Sequence, residues 1–201
     1  ITASLIGALL LTGCDSGSQS AVSEESESGV AQEQTQEKVK ARTVITTDGE
    51  VDDMNSMLRY FLYANEMELE GIVLTSSMYH YAGDEEAGIE PFRWTGTEWL
   101  SNMTDAYEEA YPNLITHAEG YPEPDYIRDV TKIGNITNAG EMEQVTEGSE
   151  FLKELFLDDD ESDLYVQTWG GTNTTARALK SIQEEYENTD EWETIKQAVS
   201  D

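Results

Sequence analysis

Between residues 43 and 75 the chain runs through strand, helix and strand patterns without a break. Thr43-Val-Ile-Thr-Thr47 is a short run rich in β-branched residues, and it passes directly into three carboxylates, Asp48, Asp52 and Asp53. From residue 53 to 66, Met54, Met57, Leu58, Phe61 and Leu62 recur at helical spacing. Residues 69–75 form a second apolar run that ends at Ser76-Ser77. A strand, helix and strand of this length pair their strands in parallel, with the helix crossing one face. This unit commits the chain to an α/β architecture, and Asp52 or Asp53 is placed to cap its helix.

The remaining elements follow the same grammar. Residues 78–91 form a long loop carrying His80, and 97–110 read as a helix. The Pro-containing stretch 111–124 reads as irregular, and 127–133 fits either helix or strand. Residues 149–157 are helical, 158–163 an acidic solvated turn, and 164–168 a third strand that enters Trp169-Gly-Gly-Thr-Asn173. Helices are expected at 174–186 and 191–198. The expected fold is a mostly parallel sheet with helices on both faces and polar turns at the C-terminal ends of the strands, where such sheets bind ligands.

Carboxylates crowded at the end of a strand repel one another, and a bound cation relieves that repulsion. Capping explains Asp52 and Asp53 but leaves Asp48 without a role. The turn therefore reads as a hard-metal site. It is not an EF-hand, because Gly49 falls at the second position and no Glu closes a twelve-residue loop.

Charge narrows the partners. With 42 acidic and 11 basic residues the net charge is -31, which excludes nucleic acid and anionic membrane surfaces as partners, since both need Lys/Arg patches. Cys14 is the sole cysteine, so no intrachain disulfide forms. Residues 5–11 are apolar but too short to span a membrane, and Leu11-Thr-Gly-Cys14 resembles a bacterial lipobox. Residues 1–14 thus read as a truncated lipoprotein signal peptide with Cys14 lipidated. Residues 15–40, rich in Ser, Glu, Gln and Gly, read as a disordered acidic linker, and 41–201 as the folded part. The expected location is outside the cytoplasm, anchored to the bacterial cell envelope through lipid alone.

The segment Thr46-Thr-Asp48-Gly-Glu50-Val-Asp52-Asp53 resembles the Asp-x-Asp-x-Gly-x-Asp-Asp motif of the nucleoside hydrolases, with Thr46 at its first aspartate and Gly49-Glu50 at its usual Pro-Gly. Gly170-Gly-Thr-Asn173 resembles that family's Gly-Pro-Leu-Thr-Asn. Trp169, Pro112-Asn-Leu114, His117, Tyr121-Pro122 and Glu147-Gly-Ser149 are similar to the nucleoside hydrolase-like domains of secreted bacterial proteins labelled cellulose-binding.

The resemblance implies a Ca2+ site. Asp48 would serve as ligand and general base, Asp53 as second ligand, and the Thr172 carbonyl as third. Asp52 and Asn173 would meet the substrate, a small nucleoside or glycoside; His80 joins them on its position alone, on the loop after the second strand near the expected pocket mouth. It implies a Ca2+-dependent hydrolase of N-glycosidic bonds; the alternative is a surface lipoprotein that binds cellulose-type polysaccharide without catalysis. It also implies a domain longer at its C-terminus than the residues given.

Overall fold

The computed structural model describes residues 39–200. Cys14, the leader-like run and nearly all of the acidic linker lie outside the described residues. Strand β1 (Ala41–Thr47) leads into helix α1 (Val51–Leu62), a 3-10 turn (Ala64–Glu66) and strand β2 (Met67–Leu74). Helices α2 (Glu98–His117) and α3 (Pro124–Asp129) follow, then strand β3 (Thr131–Ile133). Helix α4 (Glu147–Phe156), strand β4 (Leu164–Thr168) and helices α5 (Asn173–Tyr186) and α6 (Trp192–Ser200) complete it. The four strands are all parallel, in the order β3-β2-β1-β4.

Side-chain alternation along the central strands builds two cores. Ile45, Ile72 and Leu74 face Met57, Tyr60 and Phe61 of α1, Leu100 and Tyr107 of α2 and Ile127 of α3. Val44 and Val73 face Leu152 of α4 and Ala178 of α5. The two strands are buried on both faces, which is why they read as apolar runs and not as alternating ones. Helices on both sides of a parallel sheet are what the sequence led us to expect.

Two local expectations are corrected and one open reading is resolved. Helix α1 begins earlier than residue 53: Glu50 is its N-cap, its carbonyl accepting the Met54 N–H at 2.9 Å, and Asp52 and Asp53 lie in the first turn. Helix α2 does not stop near residue 110 but continues through Pro112 to His117. Proline removes one N–H, yet Tyr107, Tyr111 and Leu114 pack on the core from successive turns and hold the helix through it. The ambiguous stretch 127–133 divides into the end of α3, which has Pro124 in its first turn, and β3.

Strand order and chain order together locate a crevice. The chain moves outward from β1 to β2 to β3, then crosses to the other side of β1 to lay down β4. The C-terminal ends of β1 and β4 therefore flank the topological switch point, the usual ligand position in an open parallel sheet. A separate groove of about 640 Å3, lined by Phe156, the 158–163 turn, Val166, Leu179 and Val199, contains none of the residues around Asp48. Its acidic turn is not merely solvated. Arg42, buried in β1, reaches Asp158 and Asp160 of that turn and Glu70 of β2.

Candidate functional site

Parallel pairing sets Thr47 opposite Leu74 and Thr46 opposite Thr168, so three strands deliver their next residues to one place. The 48–53 turn leaves β1, Thr75 to His80 leave β2, and the Gly-Gly-Thr-Asn turn leaves β4. The β1 and β4 turns touch. A Cβ on Gly170 would stand 2.8 Å from the Asp48 nitrogen, and one on Gly171 only 2.1 Å from the Ser76 carbonyl oxygen. Glycine is needed here so that one backbone can lie against another. Gly171→Ala should therefore cost about 1–3 kcal/mol or more, because its contact is rigid backbone. Urea unfolding of the variant measures this, and an unchanged midpoint would contradict it.

Asp48 is almost fully buried, as is Asp53. Asp53 Oδ2 accepts the Thr47 hydroxyl at 2.7 Å and the Asp48 N–H at 3.0 Å. Asp48 Oδ1 accepts the Glu50 N–H at 3.2 Å, closing a tight Asx turn over Gly49, whose φ is +75°. Burial pushes the Asp53 carboxyl up to about 6, and the adjacent Asp48 carboxyl pushes the same way. The Thr47 hydroxyl and the Asp48 N–H oppose the rise. Among the described residues no Lys or Arg forms an ion pair with Asp48, Glu50 or Asp53. Two buried carboxylates in contact, without a basic partner, form an electrostatic imbalance that a cation would relieve.

The other expected site residues are placed as follows. Asp52 is exposed on the first turn of α1, and Thr172 is exposed as the N-cap of α5. The Thr172 carbonyl accepts the Ala176 N–H at 2.8 Å, so a cation would use its second lone pair. His80 is buried, with Nδ1 2.6 Å from Glu50 Oε1. Asn173 is buried and internally satisfied. Its Nδ2 donates to Ser76 Oγ and to the Asn135 and Glu141 carbonyls, and its Oδ1 accepts the Thr75 hydroxyl. In this structure Asn173 braces the turns after β2, β3 and β4 against one another. Trp99 packs in the core below Gly49, and His117 is exposed at the end of α2.

Glu50, which stands where the motif has glycine, is a site residue the motif does not announce: its carboxylate meets His80. The signal was present: parallel neighbours β1 and β2 bring the residues just past their ends together, whatever the sequence distance.

Residues 42–200 match the family described as cellulose-binding Sde182, nucleoside hydrolase-like domain. The chain belongs to that family. A solved structure is similar to this member over 73% of its length, at 29% identity and a TM-score of 0.64. It is a nucleoside hydrolase-related protein of Saccharophagus degradans that is associated with carbohydrate metabolism. The present chain covers 34% of that structure. No curated protein matches significantly.

The nucleoside hydrolase-like fold gives the aspartate turn a frame of reference. Asp48, Asp53 and the Thr172 carbonyl would offer only oxygen donors, and oxygen donors suit a hard cation such as Ca2+. The residues of this family member thus fit the metal that the resemblance implies.

Proposed function

We propose that this domain contributes the 48–53 turn to a Ca2+-dependent site that hydrolyses N-glycosidic bonds, on an exported protein lipid-anchored to the bacterial envelope through Cys14. The observation that supports it best is the buried Asp48–Asp53 pair at the switch point, with no Lys or Arg paired to it among the described residues. A cation held by Asp48, Asp53 and the Thr172 carbonyl would supply positive charge and fix the position of water and sugar hydroxyls.

The chain's own residues do the rest. Asp48 takes the proton of the attacking water as general base. The exposed Asp52 accepts a sugar hydroxyl. Asp53, held by Thr47 and the Asp48 N–H, keeps Asp48 in its orientation. N-glycoside cleavage develops positive charge on the sugar ring, and the carboxylates around the turn stabilise it.

The experiment is release of base or leaving group from a nucleoside and from an activated riboside, with and without EDTA. Turnover is expected to fall more than about tenfold on chelation and in Asp48→Asn. Turnover that survives both would sink the proposal.

A second reading has its own support. Thr46 occupies the place of the motif's first aspartate, and its hydroxyl is buried without a hydrogen-bond partner. Nothing charged then supports Asp48 from behind at that position, which favours binding over catalysis. Retention on cellulose-type polysaccharide without turnover of any riboside is the result that selects this reading.

A further inference from the structure

We propose that Asp48, Glu50 and His80 form a binding site for a divalent transition metal of the Zn2+ class, distinct in donor chemistry from the Ca2+ set. This rests on reading the 48–53 turn as a cation site, and not on hydrolysis. One ligand atom from each of the three residues lies within 4.8 Å of the other two. Asp48 and Glu50 are two residues apart in sequence and converge because Gly49 adopts a left-handed φ of +75°. Trp99 and Thr95 hold that turn from below: the Thr95 hydroxyl donates to the Gly49 carbonyl at 3.1 Å, and a Cβ on Gly49 would stand 2.5 Å from Trp99 Nε1. His80 arrives from the end of β2, where its carbonyl accepts the Ser77 N–H at 2.8 Å.

The polar inventory around these three side chains is unbalanced. His80 is 9% exposed, and its Nδ1 lies 2.6 Å from Glu50 Oε1 without making an aligned hydrogen bond. The short contact lies off the line that an N–H donor requires. A buried imidazole nitrogen without an aligned hydrogen bond is costly, and ligation satisfies it. Glu50 has no Lys or Arg partner among the described residues, and its side chain is 33% exposed. The site is thus buried on the Asp48 and His80 side and open on the Glu50 side.

Donor type selects the metal. Ca2+ takes six to eight oxygens, whereas an imidazole with two carboxylates suits borderline metals, Zn2+ foremost. Three protein ligands leave a fourth position open to solvent or to a substrate oxygen, as in catalytic Zn2+ sites. Asp48 belongs to both donor sets. The two metals therefore compete for one carboxylate, and the choice between Asp53 and His80 as co-ligand decides which is held.

The experiment is titration of the full chain with ZnCl2, and separately with CaCl2, by calorimetry. Excess Mg2+ is included to occupy surface carboxylates, and Co2+ serves as a spectroscopic stand-in for Zn2+. One equivalent of Zn2+ is expected to bind, with Co2+ giving visible d–d bands that include imidazole ligation. His80→Ala and Glu50→Gln should each weaken Zn2+ about tenfold or more, while Ca2+ affinity stays within about twofold. Asp53→Asn should do the converse. Glu50 is partly exposed, so its variant folds even if His80→Ala does not. Zn2+ binding unchanged in both Glu50→Gln and His80→Ala, or no Zn2+ binding above Mg2+ competition, overturns the site. Ca2+ binding that survives such a failure leaves the hydrolase reading standing. Zn2+ binding without riboside turnover fails that reading and keeps this one.

Discussion

Arg42→Met should lower the unfolding free energy by about 3–5 kcal/mol, enough to reduce the melting temperature by roughly 10 °C in a domain of this size. The sequence carries 42 acidic residues against 11 basic ones, so each buried cation matters more than usual. Arg42 is 5% exposed on β1, its Nε 2.6 Å from Glu70 Oε1 and its Nη2 2.5 Å from Asp158 Oδ2. Those two carboxylates hold the guanidinium fully protonated, well above its already high ordinary value. One side chain thereby ties β1 to β2 and to the turn that precedes β4, at the end of β1 opposite the aspartate site.

Methionine has similar length and leaves Glu70, only 18% exposed, beside Asp158 and Asp160 with no cation between them. The loss comes mostly from those stranded carboxylates. Arg42→Lys should recover part of it, since a point charge replaces the planar fork but cannot reach both acids equally. Added salt should rescue little, because the Arg42–Glu70 pair is shielded from ions. Thermal and urea unfolding of the three proteins decide the matter; a cost below about 1 kcal/mol would place the pair with ordinary surface bridges.

How far the residues themselves revealed this arrangement depends on the range of the interactions involved. The β1–α1–β2 unit was legible because its strands are buried on both faces and its helix is amphipathic. Both patterns lie within a few residues of one another. The Gly-Gly-Thr-Asn turn was legible as a close-approach site, although its partner was not: only the sheet order shows that Gly170 rests on Asp48. The run of α2 through Pro112 is not legible locally, because the proline penalty is visible in sequence while the packing of Tyr107 and Leu114 that outweighs it is not.

Asn173 looked like a group for a ligand. Its three internal acceptors come from segments between 32 and 97 residues away, so no local pattern could reveal the brace. Glu50 departs from the motif, and sequence alone gives its carboxylate no partner. Its partner His80 lies on the next strand's exit, and parallel pairing alone joins them.

In EDTA, Asp53→Asn should make the protein more stable than wild type at about pH 8 and equal to it near about pH 4, with a difference on the order of 3 kcal/mol at most. Burial and the adjacent Asp48 carboxyl raise Asp53 from 3.8 to about 6 in the folded protein. The folded state therefore holds this proton more tightly than the unfolded chain. Its contribution to stability is complete below the unfolded value and fades as pH climbs through about 6. Asparagine removes that penalty without removing the bonds: its Oδ1 still accepts the Thr47 hydroxyl and the Asp48 N–H, and its amide can donate to Asp48 where two carboxylates met before.

Ca2+ should reverse the order. Binding to the folded wild type adds stability that grows with ligand concentration, and the Asn variant lacks the charge to hold the ion. A wild type already more stable than Asp53→Asn at about pH 8 in EDTA, or a gap that does not change with pH, would mean that the turn balances its carboxylates without a cation. A pH-dependent gap that closes when Ca2+ is added would tie the strain at Asp53 to the metal it is arranged to hold.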